Sequence, residues 1–591
     1  MDSMKSFKGY GKVDELEEQA FRKKTRKRII IVVVSSVVLL AVIIGVVAGT
    51  VIHRKNSSSS SSTNPMPPSD LTPSASLKAL CSVTQYPNSC FSSISSLETS
   101  NTTDPKLLFK LSLQVAINEL SKFVQNPEKL FAKTNNTRLN EALKVCQGVF
   151  DDAFDRLNES LSAMEVGGAE KISSASNIDS IKTWLSTTIT DQETCLDAIE
   201  EVDSKLVSDF KTMMQNSTEL SSNSLAIVAK IISLLTNFNI PIHHRRLMGF
   251  DGFPDWVGPE ERRLLQEKKT DTNTTTTTTT TTTVVVAKDG TGDFRTINEA
   301  VAAVPKKSTT RFVIHVKEGT YVENVVLDKN KWNVMIYGDG KDKTIVSGSK
   351  NFIDGTPTFA TATFAVAGKG FIAKDIGFIN TAGAAKHQAV AFRSGSDMSL
   401  MYRCSFDAFQ DTLYAHSNRQ FYKECDITGT IDFIFGNAAV VFQHCNIYPR
   451  QPLPNQFSTI TAQGKKDTNQ VTGISIQKCT FAPKDANLTA DTYLGRPWKE
   501  FSTTVIMQST IGSFLNPLGW KEWVPGVEPS RSIFYAEYQN SGPGSSVTKR
   551  VNWAGYRPSL GDDDAEKFTV ASFIQGEDWL PQTSVDFDSS L

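Results

Sequence analysis

The sequence predicts a membrane segment followed by two domains of different class: an all-α four-helix bundle and then an all-β right-handed parallel β-helix. Three observations carry this reading. Ile29–Ile52 is an uncharged run of 24 residues, long enough to span roughly 30 Å of hydrocarbon as a helix. From Ser76 to about Asn237 the apolar residues recur at helical spacing, as in Leu108, Leu111, Val115 and in Cys146, Val149, Phe150, Ala153, Leu157, Leu161. From Val284 onward the pattern becomes short β-branched and aromatic runs separated by Gly, Asn and Asp.

Each element follows in chain order. Six cations fall within Arg22–Arg28 and only Arg54 and Lys55 follow the apolar run closely. The positive-inside rule therefore leaves residues 1–28 as a cytosolic tail, makes 29–52 a transmembrane signal anchor, and sends the rest into the secretory lumen. A cleaved signal peptide is the alternative, and it delivers the chain to the same oxidising compartment. All eight cysteines lie on that exported side, four before residue 200 and four after residue 400, which predicts separate groups for the two domains. Sequons at Asn101, Asn135, Asn158, Asn216, Asn273 and Asn487 are candidate glycan acceptors.

Residues 53–75 read as a Ser/Pro-rich stalk and 76–238 as the bundle, which carries no metal-ligand spacing and so reads as a binding or structural module. Residues 239–283 form a linker with two dibasic pairs, Arg245-Arg246 and Arg262-Arg263, and ten threonines from Thr274 to Thr283. Exposed Arg-Arg pairs between domains predict proteolytic processing.

Residues 284–591 hold an irregular repeat: Ile376-Gly-Phe378, Cys404-Ser-Phe406, Cys425-Asp-Ile427, Cys445-Asn-Ile447, Cys479-Thr-Phe481 and Ser509-Thr-Ile511, spaced 28, 21, 20, 34 and 30 residues apart. Such a period is too long for a hairpin meander, and no helical pattern intervenes as βαβ units require. Stacked coils about 4.8 Å apart fit it. That spacing lies within disulfide range and predicts a Cys425–Cys445 bridge, with Cys404–Cys425 conceivable by the same ladder.

The phase of the repeat also locates two aspartates. Asp411 lies seven residues after Cys404 and Asp432 seven after Cys425, so stacking in register makes them neighbours on adjacent coils. Two carboxylates that close are expected to divide into one protonated and one charged, an acid and a nucleophile.

The segments GTYVEN (Gly319 to Asn324), HQAVAF (His387 to Phe392), FQDTLYAHSNRQFY (Phe409 to Tyr422), GTIDFIFGNAAVVF (Gly429 to Phe442) and LGRPWKE (Leu494 to Glu500) closely resemble the plant pectin methylesterase family. Upstream, the stretch from Leu80 to Cys90 and the four helices resemble the pectin methylesterase inhibitor family, and RRLM and RRLL resemble its processing motifs. The resemblance implies an esterase of methylated homogalacturonan with an inhibitor-like pro region, delivered to the cell wall and cut by a subtilisin-like processing protease, with pectin methylesterase inhibitor proteins as further partners. It implies Asp432 as nucleophile, Asp411 as acid/base, Gln388 and Gln410 as oxyanion donors, and Arg496 as the guanidinium that orients the nucleophile. Thr358, Gln388, Arg496, Trp498 and Trp520 are the implied substrate contacts. It also implies bridges Cys81–Cys90 and Cys146–Cys195, with Cys404 and Cys479 reduced. Phe392 and Phe409 depart mildly from the family's usual Leu and Tyr, and neither removes a reacting atom. The anchor rests on the sequence alone.

Composition and spacing exclude other classes. With 62 Lys+Arg against 63 Asp+Glu the chain has no charge excess suited to nucleic acid. Its seven histidines form no ligand cluster, so neither metal nor other cofactor is expected. No Gly-x-Ser-x-Gly elbow marks a serine esterase. Two rivals remain: a polygalacturonase-like glycosidase, which needs wider carboxylate separation than one coil gives, and an inactive wall-binding protein, which predicts loss of Asp411, Asp432 or Arg496.

Overall fold

The computed structural model describes residues 72–125, 135–165, 175–237 and 282–591. The expected cytosolic tail, anchor 29–52, stalk and the linker with its four arginines lie outside the described residues. Among the described residues, no helix is long and apolar enough to cross a membrane.

The helical part consists of α1 (Pro73–Cys81), α2 (Pro87–Ser95), α3 (Pro105–Gln125), α4 (Thr137–Glu165), α5 (Ala175–Glu200) and α6 (Val207–Asn237). Thr72 caps α1, its hydroxyl accepting from the Ala75 N–H, and proline opens α1, α2 and α3 where a missing N–H costs nothing. The helical periodicity in the sequence becomes one core, in which Leu108, Leu120, Cys146, Phe150, Leu157 and Leu225 are all buried. Two disulfides staple it: Cys81–Cys90 joins α1 to α2, and Cys146–Cys195 joins α4 to α5.

The second part is a parallel β-helix. Its strands stack into three sheets of eleven, seven and eight members. The register follows the repeat residue for residue: Phe378 pairs with Phe406, Phe406 with Ile427, Ile427 with Ile447, Ile447 with Phe481, and Phe481 with Ile511. These side chains form a continuous ladder in the interior. Longer spacings emerge as loops between the same ladder positions.

At one corner of each coil the residue preceding the repeat unit adopts positive φ: Asp375, Arg403, Glu424, His444, Lys478 and Gln508, between 51° and 54°. None is glycine, so each carries a steric cost that the ladder bonds on either side must offset. No glycine marks these corners in the sequence, yet they set the direction in which every following side chain enters the core.

Those corners also decide the cysteines. Cys404, Cys425, Cys445 and Cys479 stack there, and all four are buried free thiols. The expected Cys425–Cys445 bridge is therefore corrected. Each thiol hooks back to the carbonyl two residues earlier: Cys404 to Tyr402 at 3.5 Å, Cys425 to Lys423 at 3.3 Å, Cys445 to Gln443 at 3.5 Å and Cys479 to Gln477 at 3.3 Å. Ladder-equivalent side chains point the same way rather than at each other, so coil spacing alone does not make a bridge. Alkylation of the unfolded, unreduced protein is expected to label four cysteines, all from this ladder. Recovery of a linked 425–445 peptide would refute that.

Short helices at the carboxyl end cover the outer face of the eleven-stranded sheet. Val570, Ile574, Trp579 and Leu580 pack on Val313, Ile372, Leu400, Phe421 and Val441. The opposite flank, along the seven-stranded sheet, carries the site.

Candidate active site

Asp411 and Asp432 each sit two residues before a strand of the seven-stranded sheet, Leu413–Ala415 and Ile434–Gly436, whose first residues pair with one another. The Asp411 N–H donates to Ile431 O at 3.0 Å, tying the two turns together. Both aspartates have positive φ, 62° and 52°. Non-glycine residues held in this region on adjacent coils mark a place where the fold accepts strain to aim side chains, and both line one cavity of about 270 Å³.

Their surroundings differ. Both oxygens of Asp432 face Arg496, with Nε donating to Oδ1 at 2.8 Å and Nη2 to Oδ2 at 2.6 Å. Thr459 Oγ1 also donates to Oδ1 at 2.6 Å and accepts from the Asp432 N–H at 3.0 Å. This two-pronged grip fixes a charged carboxylate. For Asp411, burial, then the charge of Asp432 and then that of Glu201 push the carboxyl well above its usual range, with Arg496 opposing. Asp411 is thus pushed toward its protonated form beside a carboxylate gripped by Arg496 and Thr459.

Gln388, Gln410, Thr358 and Trp498 line the same cavity. The Gln388 Oε1 is buried without a hydrogen-bond partner. Trp520 is not among the lining residues. It is 1 % exposed, its indole N–H donates to Glu537 Oε1 at 3.3 Å, and it packs on Tyr535. The expected platform role of Trp520 is therefore corrected, because the loop bearing it turns inward after Leu518-Gly519. The second tryptophan in the cavity is instead Trp523, 36 % exposed, stacked with Trp498 at 6.4 Å and lying 4.2 Å from the Arg496 guanidinium. Sequence reasoning missed Trp523 and Thr459. Trp523, three residues from Trp520, had only its residue type as a signal; Thr459 had none.

The cavity has a second wall. Thr194, Asp197, Ala198, Glu200 and Glu201, at the carboxyl end of α5, line it together with the catalytic-part residues. The face of α5 on the β-helix runs at helical spacing: Thr187 donates to Asn418 at 2.9 Å, Thr190 accepts from Asn437 at 2.9 Å, Thr194 pairs with His416 at 2.9 Å, and Asp197 pairs with Lys499 at 2.5 Å. Just beyond, Glu201 accepts from the Thr358 N–H at 2.9 Å. Burial raises Asp197 to about 6 and Glu201 to about 7, and the Lys499 charge holds Asp197 from rising further. The carboxyl end of α5 thus forms one wall of the cavity that Asp411 and Asp432 line.

The profile of the family described as Pectinesterase matches residues 283–577, and that described as Plant invertase/pectin methylesterase inhibitor matches residues 75–227. "Pectinesterase 3" of Phaseolus vulgaris is 65% identical over 596 residues, covering 100% of both chains. The chain belongs to the pectinesterase family. "Pectinesterase 1" of Arabidopsis thaliana is 61% identical over 99% of both chains. Among solved structures, "Pectin methylesterase from Carrot" is 50% identical with a TM-score of 0.51, and 54% of this chain covers 100% of that one. This pectinesterase is accordingly a carboxylic ester hydrolase whose catalytic part is a parallel β-helix and whose helical part is of the inhibitor class. The carrot chain corresponds to the β-helix alone, and the β-helix here has its own core, separate from that of the bundle. The catalytic part of this pectinesterase therefore has a core of its own and about the extent of a chain solved by itself.

Proposed function

We propose that the chain hydrolyses methyl esters of cell-wall homogalacturonan through the Asp432–Asp411 pair, and that the helical part restrains it until the linker is cut. The observation that carries the reading is the asymmetry of the pair: Asp432 gripped by Arg496 and Thr459, Asp411 pushed toward its protonated form. Asp432 attacks the ester carbonyl and its oxygen bonds to carbon. Gln388 and Gln410 donate to the tetrahedral oxyanion, where one donor is worth roughly 3 to 4 kcal/mol. The intermediate collapses to an acyl–Asp432 anhydride as Asp411 gives its proton to departing methanol. Asp411, now a base, takes a proton from water, which opens the anhydride, frees the galacturonate carboxylate and restores Asp432. Thr358, Trp498 and Trp523 hold the sugar chain.

The test is release of methanol from methylated pectin by residues 282–591. Appearance of new reducing ends without methanol would favour the glycosidase instead. The presence of Asp411, Asp432 and Arg496 together speaks against an inactive wall-binding protein. A membrane-anchored precursor passing through the secretory pathway to the cell wall, and cleavage at Arg245-Arg246 or Arg262-Arg263 by a subtilisin-like protease, complete the proposal on sequence grounds.

The two tryptophans separate packing from binding. Trp520→Ala is expected to destabilise the catalytic part by about 3 to 5 kcal/mol, the scale for emptying a buried aromatic site. Trp523→Ala should leave the unfolding midpoint nearly unchanged and raise KM for pectin about fivefold, the scale of a lost aromatic contact. Denaturant unfolding and initial rates, measured on both variants, check this; reversed effects would restore Trp520 to the groove.

A further inference from the structure

Lys499 follows the cavity-lining Trp498, with its ammonium 5.1 Å from that ring's centroid. Its backbone is pinned, since its N–H donates to Ser502 Oγ at 3.1 Å and the Ser502 hydroxyl donates back to the Lys499 carbonyl at 2.8 Å. Among the described residues, the ammonium itself pairs only with carboxylates of the helical part: Asp197 at 2.5 Å and Glu193 at 3.7 Å. The charges that raise its pKa, against burial, are likewise Asp197, Glu193 and Glu200. Among the described residues, no acid of the β-helix forms an ion pair with it. Once α5 leaves the groove, a positioned cation beside an aromatic wall remains with no counter-charge of its own.

What α5 places there indicates what the groove accepts. Glu193, Asp197 and Glu201 lie four residues apart, so they form one ridge with a rise of about 6 Å between successive members. Glu201 reaches the N–H of Thr358, which lines the same cavity as Asp411, and Asp197 reaches Lys499 one turn away. The ridge is a row of carboxylates laid through a groove built for a polymer of uronic acids. At the reaction centre the substrate must carry an ester; beside it the groove holds a cation, which an ester cannot pair.

We propose that Lys499 recognises a free galacturonate carboxylate flanking the reacting methyl ester, and so makes the edge of an already de-esterified stretch a better substrate than a fully esterified chain. The inference rests on the esterase reading above. Lys499 is a specificity-determining residue with no part in bond making.

The experiment uses residues 282–591 and two pectins, one almost fully esterified and one with about half its acids free. Methanol release gives kcat and KM on each. Lys499→Met is expected to raise KM on the half-esterified pectin about tenfold, the scale of one charge-assisted hydrogen bond, and at least three times more than on the fully esterified one, with kcat little changed. The same variant should lose about tenfold in calorimetric affinity for de-esterified oligogalacturonate. Lys499→Arg, which keeps the charge, should restore most of both and guards against misfolding of the methionine variant. Equal losses on the two pectins, or unchanged affinity for the free acid, would overturn the proposal. A wild-type domain that releases methanol from neither pectin would instead sink the esterase reading, and this inference with it.

Discussion

Asp432→Asn is expected to lower methanol release by roughly 10⁴-fold or more, the scale on which loss of a nucleophile acts, with the β-rich circular dichroism of the domain unchanged. An amide keeps the shape of the carboxylate but presents no anionic oxygen to the ester carbonyl, and one of its two ends repels the Arg496 N–H groups that now hold both oxygens. Asp411→Asn should be comparably damaging for a different reason, since methanol would leave as methoxide and water would lack a base. The pair is distinguishable. Asp411→Asn can still form the acyl intermediate slowly, so an activated ester with a good leaving group should give a burst of alcohol with this variant and none with Asp432→Asn. Arg496→Lys is expected to fall by about 10² to 10³, because a point charge does not reproduce the two parallel bonds that aim Asp432. Turnover near wild type in either aspartate variant would remove the assignment.

The second large effect concerns the helical part. The uncut chain should show specific activity on the order of 10² to 10³ below that of residues 282–591. A tether between the domains gives an effective concentration approaching about 1 mM, so even a micromolar contact stays occupied. The contact is visible: α5 lines the cavity that holds Asp411 and Asp432, and its Asp197 and Glu201 reach Lys499 and the Thr358 amide. Asp197→Lys, which sets a cation against Lys499, should recover much of the lost activity without any cut. Replacing Arg245, Arg246, Arg262 and Arg263 with alanine should keep the chain restrained in the presence of the processing protease. Equal activity of the intact and shortened proteins would leave cleavage with a release role only.

The restraint should also depend on pH, and its sign follows from the direction of the shifts. Asp197 and Glu201 are raised in the docked state to about 6 and about 7, from 3.8 and 4.5, chiefly by burial. The docked form therefore binds more protons than the free form, so docking is strongest below the free values and weakens as pH rises through about 6 to 7. The groups facing them are Lys499, Glu193, Glu200, Thr358 and Asp411; Lys499 favours ionisation of Asp197 and the Thr358 hydrogen bonds favour that of Glu201, while burial and the neighbouring acids oppose both. Activity of the uncut chain relative to the cut one should accordingly climb between pH 5 and pH 8. A flat ratio would show that these carboxylates do not govern docking.

The sequence by itself determined the architecture and the adjacency of Asp411 and Asp432, because both are expressed in spacing. A coil of a β-helix must return to the same ladder position, so buried residues recur with the coil length. The pairing of Phe406 with Ile427 and of Leu413 with Ile434 is that recurrence made physical. Asp411 and Asp432 inherit their adjacency from it. The apolar period of the bundle was legible for the same reason, since one face must be buried along each helix.

Only the tertiary structure decided what depends on side-chain direction and on contact between parts distant in the chain. The cysteine ladder has the spacing of a disulfide, but its thiols point along one direction to their own carbonyls. Trp520 and Trp523 are the same residue type three apart, and only the path of their loop sends one to Glu537 and the other to Arg496. Thr459 became a partner of Asp432 because the next coil brings it there. The same holds for the ridge of carboxylates on α5: their spacing is written in the sequence, but Lys499 lies some three hundred residues away, and pairing across that separation is set by how the bundle docks on the groove.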